Sequence, residues 1–322
     1  MKSRIQHNLP PAFQRLAWSN LAAQSAEQIA LAAAPLYAVL VLGAGTGATG
    51  LIQTAQTLPF LLFAIPLGML ADRLPRCDVM MWAEAGRAAA ILVTVALVGA
   101  DTLTWPLLSL LGLLGACGTV AYSVAAPALV PSLVPAHALG AANARIELAR
   151  AIAFTAGPTA GGALVGWSGA QTAFACAAAL SLCALGWLAR VQEPVRPRPR
   201  RRHPLQEMRD SARFVFGHAL LKPVFITQFV FGISAFLLLA VFVPYAVQSL
   251  AMSAPAVGMV LGAYGLGMVC GAVSAGPVVL RSRFGTVIAI GPVCGLISSL
   301  VMVSTLVWPS PWLAAGGFFL LG

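Results

Sequence analysis

The sequence predicts an all-α fold, a polytopic bundle of membrane-spanning helices, and three observations carry that prediction. Hydrophobic residues make up 59% of the 322 residues and charged residues only 9%, against roughly 25% charged in soluble domains. The apolar residues gather into ten runs, and the basic residues gather into alternate connectors between them. A chain this apolar cannot cover a surface in water, whereas each helix crossing lipid must be apolar for about 20 residues.

The runs lie near residues 16–42, 48–71, 79–100, 103–126, 143–167, 172–189, 223–247, 257–280, 286–308 and 312–322. Each complete run is long enough to span as a helix, and helices are required because lipid offers no partner to open backbone groups. The tenth run stops at Gly322 after 11 residues, still apolar, and is read as the start of a span that continues beyond this sequence. A chain ending on a short segment is the alternative. Residues 1–13 are polar with two prolines, and the first run is too long for the apolar core of a signal peptide, so no cleavable leader is expected.

The net charge of +10 raises nucleic acid as a partner. The placement of the charges argues against it, because the basic residues sit in short connectors with no basic face interleaved with aromatics. With the N-terminus inside, the inner connectors hold Lys2, Arg4, Arg15, Arg73, Arg76, Arg145, the arginine run after the sixth span, Arg281 and Arg283. The outer connectors hold no Lys or Arg, and Asp101 is their sole charge. This is the asymmetry that retention of positive charge in the cytoplasm produces, and it predicts a bacterial inner (plasma) membrane protein with a cytoplasmic N-terminus.

None of the cysteines (Cys77, Cys117, Cys176, Cys183, Cys270, Cys294) forms a CxxC pair, and all but Cys77 lie in apolar runs. Neither a disulfide framework nor a zinc site is suggested, and small apolar side chains in helices are the plainer reading.

The connector 192–221 differs from the others. It carries Arg196, Arg198, Arg200, Arg201, Arg202, Arg209 and Arg213, with Pro194, Pro197, Pro199 and Pro204 among them. Such a stretch buries no core. It divides the chain into residues 1–191, a bundle of six spans, and residues 222–322, a second bundle that is incomplete. Its later part suits a short surface helix, and an anionic-lipid site is the alternative to a plain inside linker.

Motifs in the connectors and spans narrow the function. After the second span the sequence reads Gly68-Met69-Leu70-Ala71-Asp72-Arg73-Leu74-Pro75-Arg76. Glycine lets helices approach closely, Asp72 is expected to begin the next helix at the positive end of its dipole, and Arg73 and Arg76 can pair with carboxylates or helix C-termini. Such a loop suits a cytoplasmic latch, and an ordinary charged inside loop is the alternative. A second copy, Gly276 to Gly285, follows the eighth span with Arg281 and Arg283 but with Leu280 in place of the acid. In the fifth span, Pro158 bends the helix while Gly157, Gly161 and Gly162 make a smooth face. Gly258, Gly262, Gly267 and Gly271 likewise favour tight contacts of the eighth span.

These stretches resemble signatures of the major facilitator superfamily. The Gly68–Arg76 loop is similar to its G-x-x-x-D-R-x-x-R loop. The fifth span is similar to the G-x-x-x-G-P-x-x-G-G signature of its exporters, with Ala153 in place of the first glycine. Residues 127–135, read as a cytoplasmic stretch, together with Ala141-Ala142-Asn143 and the segment around Gln24–Gln28, resemble the enterobactin-exporter and macrolide-efflux-like group. The resemblance implies two parallel six-helix bundles, alternating access and, from the fifth span, export.

Glu27 lies within the first span, and an acid in a membrane is a functional hypothesis by default. Asn20, Gln24 and Gln28 share its helical face, as a cavity lining would. Glu27 is assigned proton coupling and the three amides the substrate cavity, against a structural carboxylate as the plainer reading. Glu84 with Arg87 and Glu147 with Arg150 are read as static ion pairs near cytoplasmic helix ends, with a gating role as the alternative.

Gly45-Thr46-Gly47-Ala48-Thr49-Gly50 fits G-x-G-x-x-G, but it sits between spanning helices with no βαβ unit around it, so a flexible turn is the reading. No long P-loop, nucleophile elbow or HExxH is present. All four histidines (His7, His137, His203, His218) lie in tails or inside connectors, which leaves a membrane enzyme or scaffold as the weaker class. The expected function is therefore secondary transport, in the sharpest form proton-coupled export of amphipathic small molecules such as drugs or siderophores. An uptake facilitator or a lipid or sugar transporter of the same fold is the alternative. The partners are a small-molecule substrate, protons and the lipid bilayer, with no nucleic acid, cofactor or metal, and a monomer is expected.

Overall fold

The structure, a computed structural model, describes residues 9–194, 209, 213–281 and 284–322. Its long elements are ten α-helices, in order α1 (Pro11–Leu40), α2 (Thr46–Arg73), α3 (Arg76–Gly99), α4 (Trp105–Leu133), α5 (Leu139–Ser168), α6 (Ala170–Leu188), α7 (Leu221–Gln248), α8 (Ala254–Arg281), α9 (Phe284–Ser304) and α10 (Pro311–Leu321). No strand occurs among the described residues. Each of the ten apolar runs thus falls on one helix.

Six helices combine the length and apolar content that crossing a bilayer needs: α2, α3, α4, α6, α7 and α8. The 30-residue helices α1 and α5 have the length but carry more polar side chains. They are also the central helices. α1 packs on α5 and α6, and α5 packs on α1 and α8, so Ser19, Asn20 and Gln28 of α1 are buried against protein, while Arg145 and Glu147 near the start of α5 stay exposed. Prolines lie inside α1, α2, α4, α5, α7 and α9. Neighbouring helices and small local adjustments make them tolerable in such a bundle.

Three helix boundaries differ from the sequence reading. α2 runs through Asp72 to Arg73, and α3 begins at Arg76. Asp72 therefore ends one helix rather than beginning the next, and Asp78 takes the first-turn position. α4 continues to Leu133 with Pro127 and Pro131 inside it, so most of residues 127–135 is helix rather than connector. α5 starts at Leu139, before the apolar run does. α5 and α6 are joined through Gly169 alone, whose φ of +84° only glycine adopts freely.

The first six helices pack around two apolar clusters. One holds Phe13, Leu16, Met80, Leu129 and Leu188, and the other holds Ile29, Tyr37, Ile52, Leu108 and Phe174. A third cluster joins Leu36 of α1 to Phe242, Val257, Met302 and Phe318 of the later helices. The Phe242 and Phe318 rings meet edge to face with centroids 4.5 Å apart.

The main seam between the two groups of helices is α5 against α8. A methyl group at Gly258 would lie 2.5 Å from the Pro158 carbonyl oxygen, and one at Gly162 would lie 2.5 Å from the Ala254 carbonyl oxygen. A side chain at Gly262 would strike Thr159, and one at Gly265 would strike the backbone of Phe154 and Thr155. These contacts lie in the α5 half that leads to the α5–α6 turn. In the other half Leu148 and Ile152 are exposed. The two groups of helices therefore meet at the end carrying the α5–α6 and α7–α8 turns and part toward the opposite end.

Gly258→Ala should destabilise the protein by about 1–3 kcal/mol, because its methyl meets backbone that cannot yield without parting the helices. Gly186→Ala on α6 meets nothing within 4 Å and should be neutral or slightly stabilising. Thermal unfolding of the purified variants checks both, and equal midpoints for the two would remove the seam from the account.

Candidate functional site

Where the two groups of helices part, they enclose a cavity of about 500 Å³. Its walls come from α1, α2, α3, α4, α5, α6, α7 and α8, so it lies between the groups rather than within either. Most of the lining is apolar, with Phe60, Phe154, Phe174, Phe231, Phe236 and Tyr264 supplying rings. Its polar lining includes Gln28 on α1, Gln53, Gln56 and Thr57 on α2, and Thr94 and Thr119. The charged residues in the lining are Glu27 and Arg87.

Arg87 organises this site. It sits eleven residues into α3, roughly 16 Å along the helix at 1.5 Å per residue. The reading of Glu84 and Arg87 as a static pair near a cytoplasmic helix end is therefore corrected: the side chains are 1% and 5% exposed. Arg87 Nη2 donates to both Glu84 oxygens, at 2.7 and 2.5 Å, and to the Ala23 carbonyl at 3.0 Å. Its Nη1 donates to Thr119 Oγ1 at 3.4 Å. The Ser181 hydroxyl donates to Glu84 Oε1. One guanidinium thus ties together α1, α3, α4 and, through Glu84, α6. Such a buried cation is tolerated because its charge is paired and hydrogen-bonded.

Glu27 stands at the edge of this network. Its Oε2 lies 3.8 Å from Arg87 Nη1, an ion pair but not a hydrogen bond, and its side chain is 16% exposed toward the cavity. By contrast Glu147 and Arg150, 3.5 Å apart, are open to the surface.

The structure separates the amides assigned to the cavity. Gln28 lines it. Asn20 is buried about two turns away and Gln24 is half-buried, and neither is part of the lining. The amides on α2 that do line it, Gln53 and Gln56, are not among the residues singled out in the sequence. Their signal was present: two amides spaced one turn apart in an otherwise apolar span.

The assigned kink residues have two partners. A side chain at Gly157 would strike Gln28, and one at Gly161 would come within 3.0 Å of the Ile29 carbonyl oxygen, both on α1, whereas Gly162 faces α8. Pro158 lines the cavity between them. In the latch loop, Gly68 has ordinary room for a methyl, with Val124 Cγ1 3.5 Å away, so close helix approach does not require glycine there. Arg73 ends α2 and is exposed. Arg76 donates to the Ala128 carbonyl of α4, and the Cys77 N–H donates to Glu193 Oε2 at 2.8 Å. The side chain of Asp72 lies outside the described residues, as do Arg283 and the side-chain surroundings of Gly276 and Arg281. By backbone, Gly276 and Arg281 lie in the last turns of α8.

Comparison with known proteins agrees with this architecture. No curated protein sequence matches the chain significantly. Among solved structures, a bacterial homologue of the human lysosomal transporter Spinster, inward-facing and unoccupied, is 17% identical with a TM-score of 0.70, covering 96% of this chain and 72% of that one. A variant of the nucleoside transporter NupG is 13% identical with a TM-score of 0.73, covering 97% and 79%. A D-xylose–proton symporter is 14% identical with a TM-score of 0.70, covering 97% and 79%. These likenesses establish the two-bundle transporter fold. Residues 12–322 match the family described as transmembrane secretion effector. The chain therefore belongs to the transmembrane secretion effector family of the major facilitator superfamily, a family of secondary transporters rather than enzymes.

Proposed function

We propose that the protein is a proton-coupled exporter of amphipathic small molecules, working by alternating access. The observation that carries the reading is Glu27: a carboxylate at the wall of the cavity between the two helix groups, held near Arg87 without a hydrogen bond to it. A carboxylate in that position can exchange a proton for a ligand as the cavity changes sides. The apolar walls with a few amides suit ligands recognised loosely by burial. The family description of a secretion effector and the exporter-like fifth span support reading the direction as export rather than uptake. The enterobactin-exporter and macrolide-efflux-like group remains the subgroup we assign on the residues quoted above.

The same reading assigns residues 1–191 and 222–322 to two bundles joined by the 192–221 linker. It places the N-terminus, linker and both arginine-bearing loops on the cytoplasmic side of the bacterial inner membrane. The parted end then faces the cytoplasm, so the described conformation is inward-open. Gly68, Asp72, Arg73 and Arg76, with Gly276, Arg281 and Arg283, would latch that side when the cavity turns outward. Gln28, Gln53 and Gln56 would contact the substrate, with Asn20 and Gln24 supporting α1 behind them.

Three outcomes follow. In vesicles carrying the protein, ethidium extrusion should fall to the protein-free background when an ionophore collapses the proton gradient, and unchanged extrusion would remove the coupling. Glu27→Gln keeps the side-chain shape but not the exchangeable charge, so it should fold normally and lose gradient-driven extrusion, and wild-type rates would take Glu27 out of the mechanism. In a cysteine-free background, Gly47→Cys should react with an impermeant maleimide on intact cells and Ala136→Cys only after the membrane is opened. The opposite labelling pattern would invert the sidedness.

A further inference from the structure

The charge balance around the cavity points to the sign of the ligand. We propose that the cavity selects lipophilic cations, and that Glu84, a positioning residue remote from the ligand, sets this selection by occupying Arg87. The inference rests on reading the cavity as the transport site.

The cluster holds two carboxylates and one guanidinium, and the further cation whose charge reaches Glu27, Arg150 on α5, is paired with Glu147 at the surface. Arg87 gives both of its short hydrogen bonds to Glu84, which is 1% exposed and receives a third from Ser181. Nη2 also reaches the Ala23 carbonyl and Nη1 reaches Thr119, while the buried Nε–H has no partner among the described residues. Glu27 is left 3.8 Å from the guanidinium, with no hydrogen bond to the described residues. The negative charge in excess therefore resides on the carboxylate that faces the cavity. Among the described residues Arg87 is the one basic side chain in that lining, and its charge is paired with Glu84.

An anion entering the cavity would meet this excess where water screens it poorly. A cation would pair with Glu27 and set its apolar body among Phe60, Phe154, Phe231, Phe236 and Tyr264, whose rings also attract positive charge. Glu27 releases its proton to water as the cation arrives and regains one as the cation leaves. The exchange is balanced in charge, one proton against one monocation.

The test uses two ions of the same shape and opposite charge, tetraphenylphosphonium and tetraphenylborate. Saturable binding to the purified full-length protein in nanodiscs is measured by equilibrium dialysis against protein-free nanodiscs, which removes partition into lipid. The wild type should bind the phosphonium tighter by roughly tenfold or more, the low end for one poorly screened charge. Glu27→Gln and Glu84→Gln should each bring the two affinities together, the second by freeing Arg87 to neutralise Glu27. The double variant leaves Arg87 alone and should prefer the borate.

Should Glu84→Gln not fold, Glu84→Gln combined with Arg87→Gln serves instead. It leaves Glu27 as the sole charge, and the cation preference must then be at least that of the wild type. Equal affinities in the wild type, or no saturable binding of either ion, overturn the proposal. A wild-type preference retained in Glu84→Gln, or lost in the Glu84→Gln, Arg87→Gln pair, overturns the part assigned to Glu84. Ethidium extrusion, scored separately, decides whether the transport reading falls as well: charge-blind binding with intact gradient-driven extrusion sinks the proposal alone.

Discussion

Arg87 sits in the middle of α3 with its guanidinium closed off by Glu84, Ala23 and Thr119. Three ionisable side chains at that depth have lost most of their hydration, and only mutual pairing makes the arrangement tolerable. Removing one partner from a buried pair of this kind costs about 3–5 kcal/mol, because the other is left charged and alone. The network thereby fixes how α1, α3, α4 and α6 stand relative to one another. Ser19 adds a neutral version of the same tie, approaching Tyr122 Oη at 3.1 Å and donating to the Ala184 carbonyl at 2.9 Å. The cavity wall on this side is rigid because its polar groups have nowhere else to go.

The opposite wall is held by different physics. α5 meets α1 through Gly157 and Gly161 and meets α8 through Gly162, with little but backbone at the contact. Close backbone approach at glycine makes most of the α5–α8 seam, with the Phe154 and Tyr264 rings 6.1 Å apart and Thr159 Oγ1 donating to the Gly258 carbonyl at 3.4 Å, so dispersion between apposed backbones is its main term. A seam of that kind resists separation yet opposes sliding less than interdigitated side chains do. It also lies toward one end of the helices, while the other end of α5 is exposed at Leu148 and Ile152. The two groups of helices are thus joined near one end and free at the other, the geometry that a rocking motion needs.

The helices were legible because lipid imposes length and composition on each segment separately. Boundaries were less so: the α4 continuation through Pro127 and Pro131 is invisible to a hydropathy window, since proline removes one donor without ending a helix that neighbours support. Glu27 was legible as an acid in an apolar run. Its setting was not, because Arg87 reaches it from 60 residues further along the chain and no helical period encodes that meeting. The spacing of Glu84 and Arg87 correctly indicated a pair, but spacing says nothing about depth. Counting residues from the start of α3 would have placed Arg87 mid-span, where an arginine is as unusual as Glu27 itself. The small residues of α5 were readable as a smooth surface, and only packing reveals that α1 takes part of it and α8 the rest.

These separate features converge on α1. The helix offers Glu27 to the cavity, the Ala23 carbonyl to Arg87, Gln28 and Ile29 to the glycines of α5, and Leu36 to the apolar cluster that joins the two groups. Glu27 and Leu36 are nine residues apart, roughly 13 Å along the helix. A change of charge at Glu27 therefore acts on the same rigid rod that carries the closing contact with Phe242 and Val257. Pro35 lies just before that contact and removes one hydrogen bond from the rod, which leaves the segment beyond it freer to tilt than a continuous helix would be. On the proposed reading, occupancy at the carboxylate and closure at Leu36 would be coupled through one helix with a single compliant point, and no longer chain of contacts would be needed to connect them.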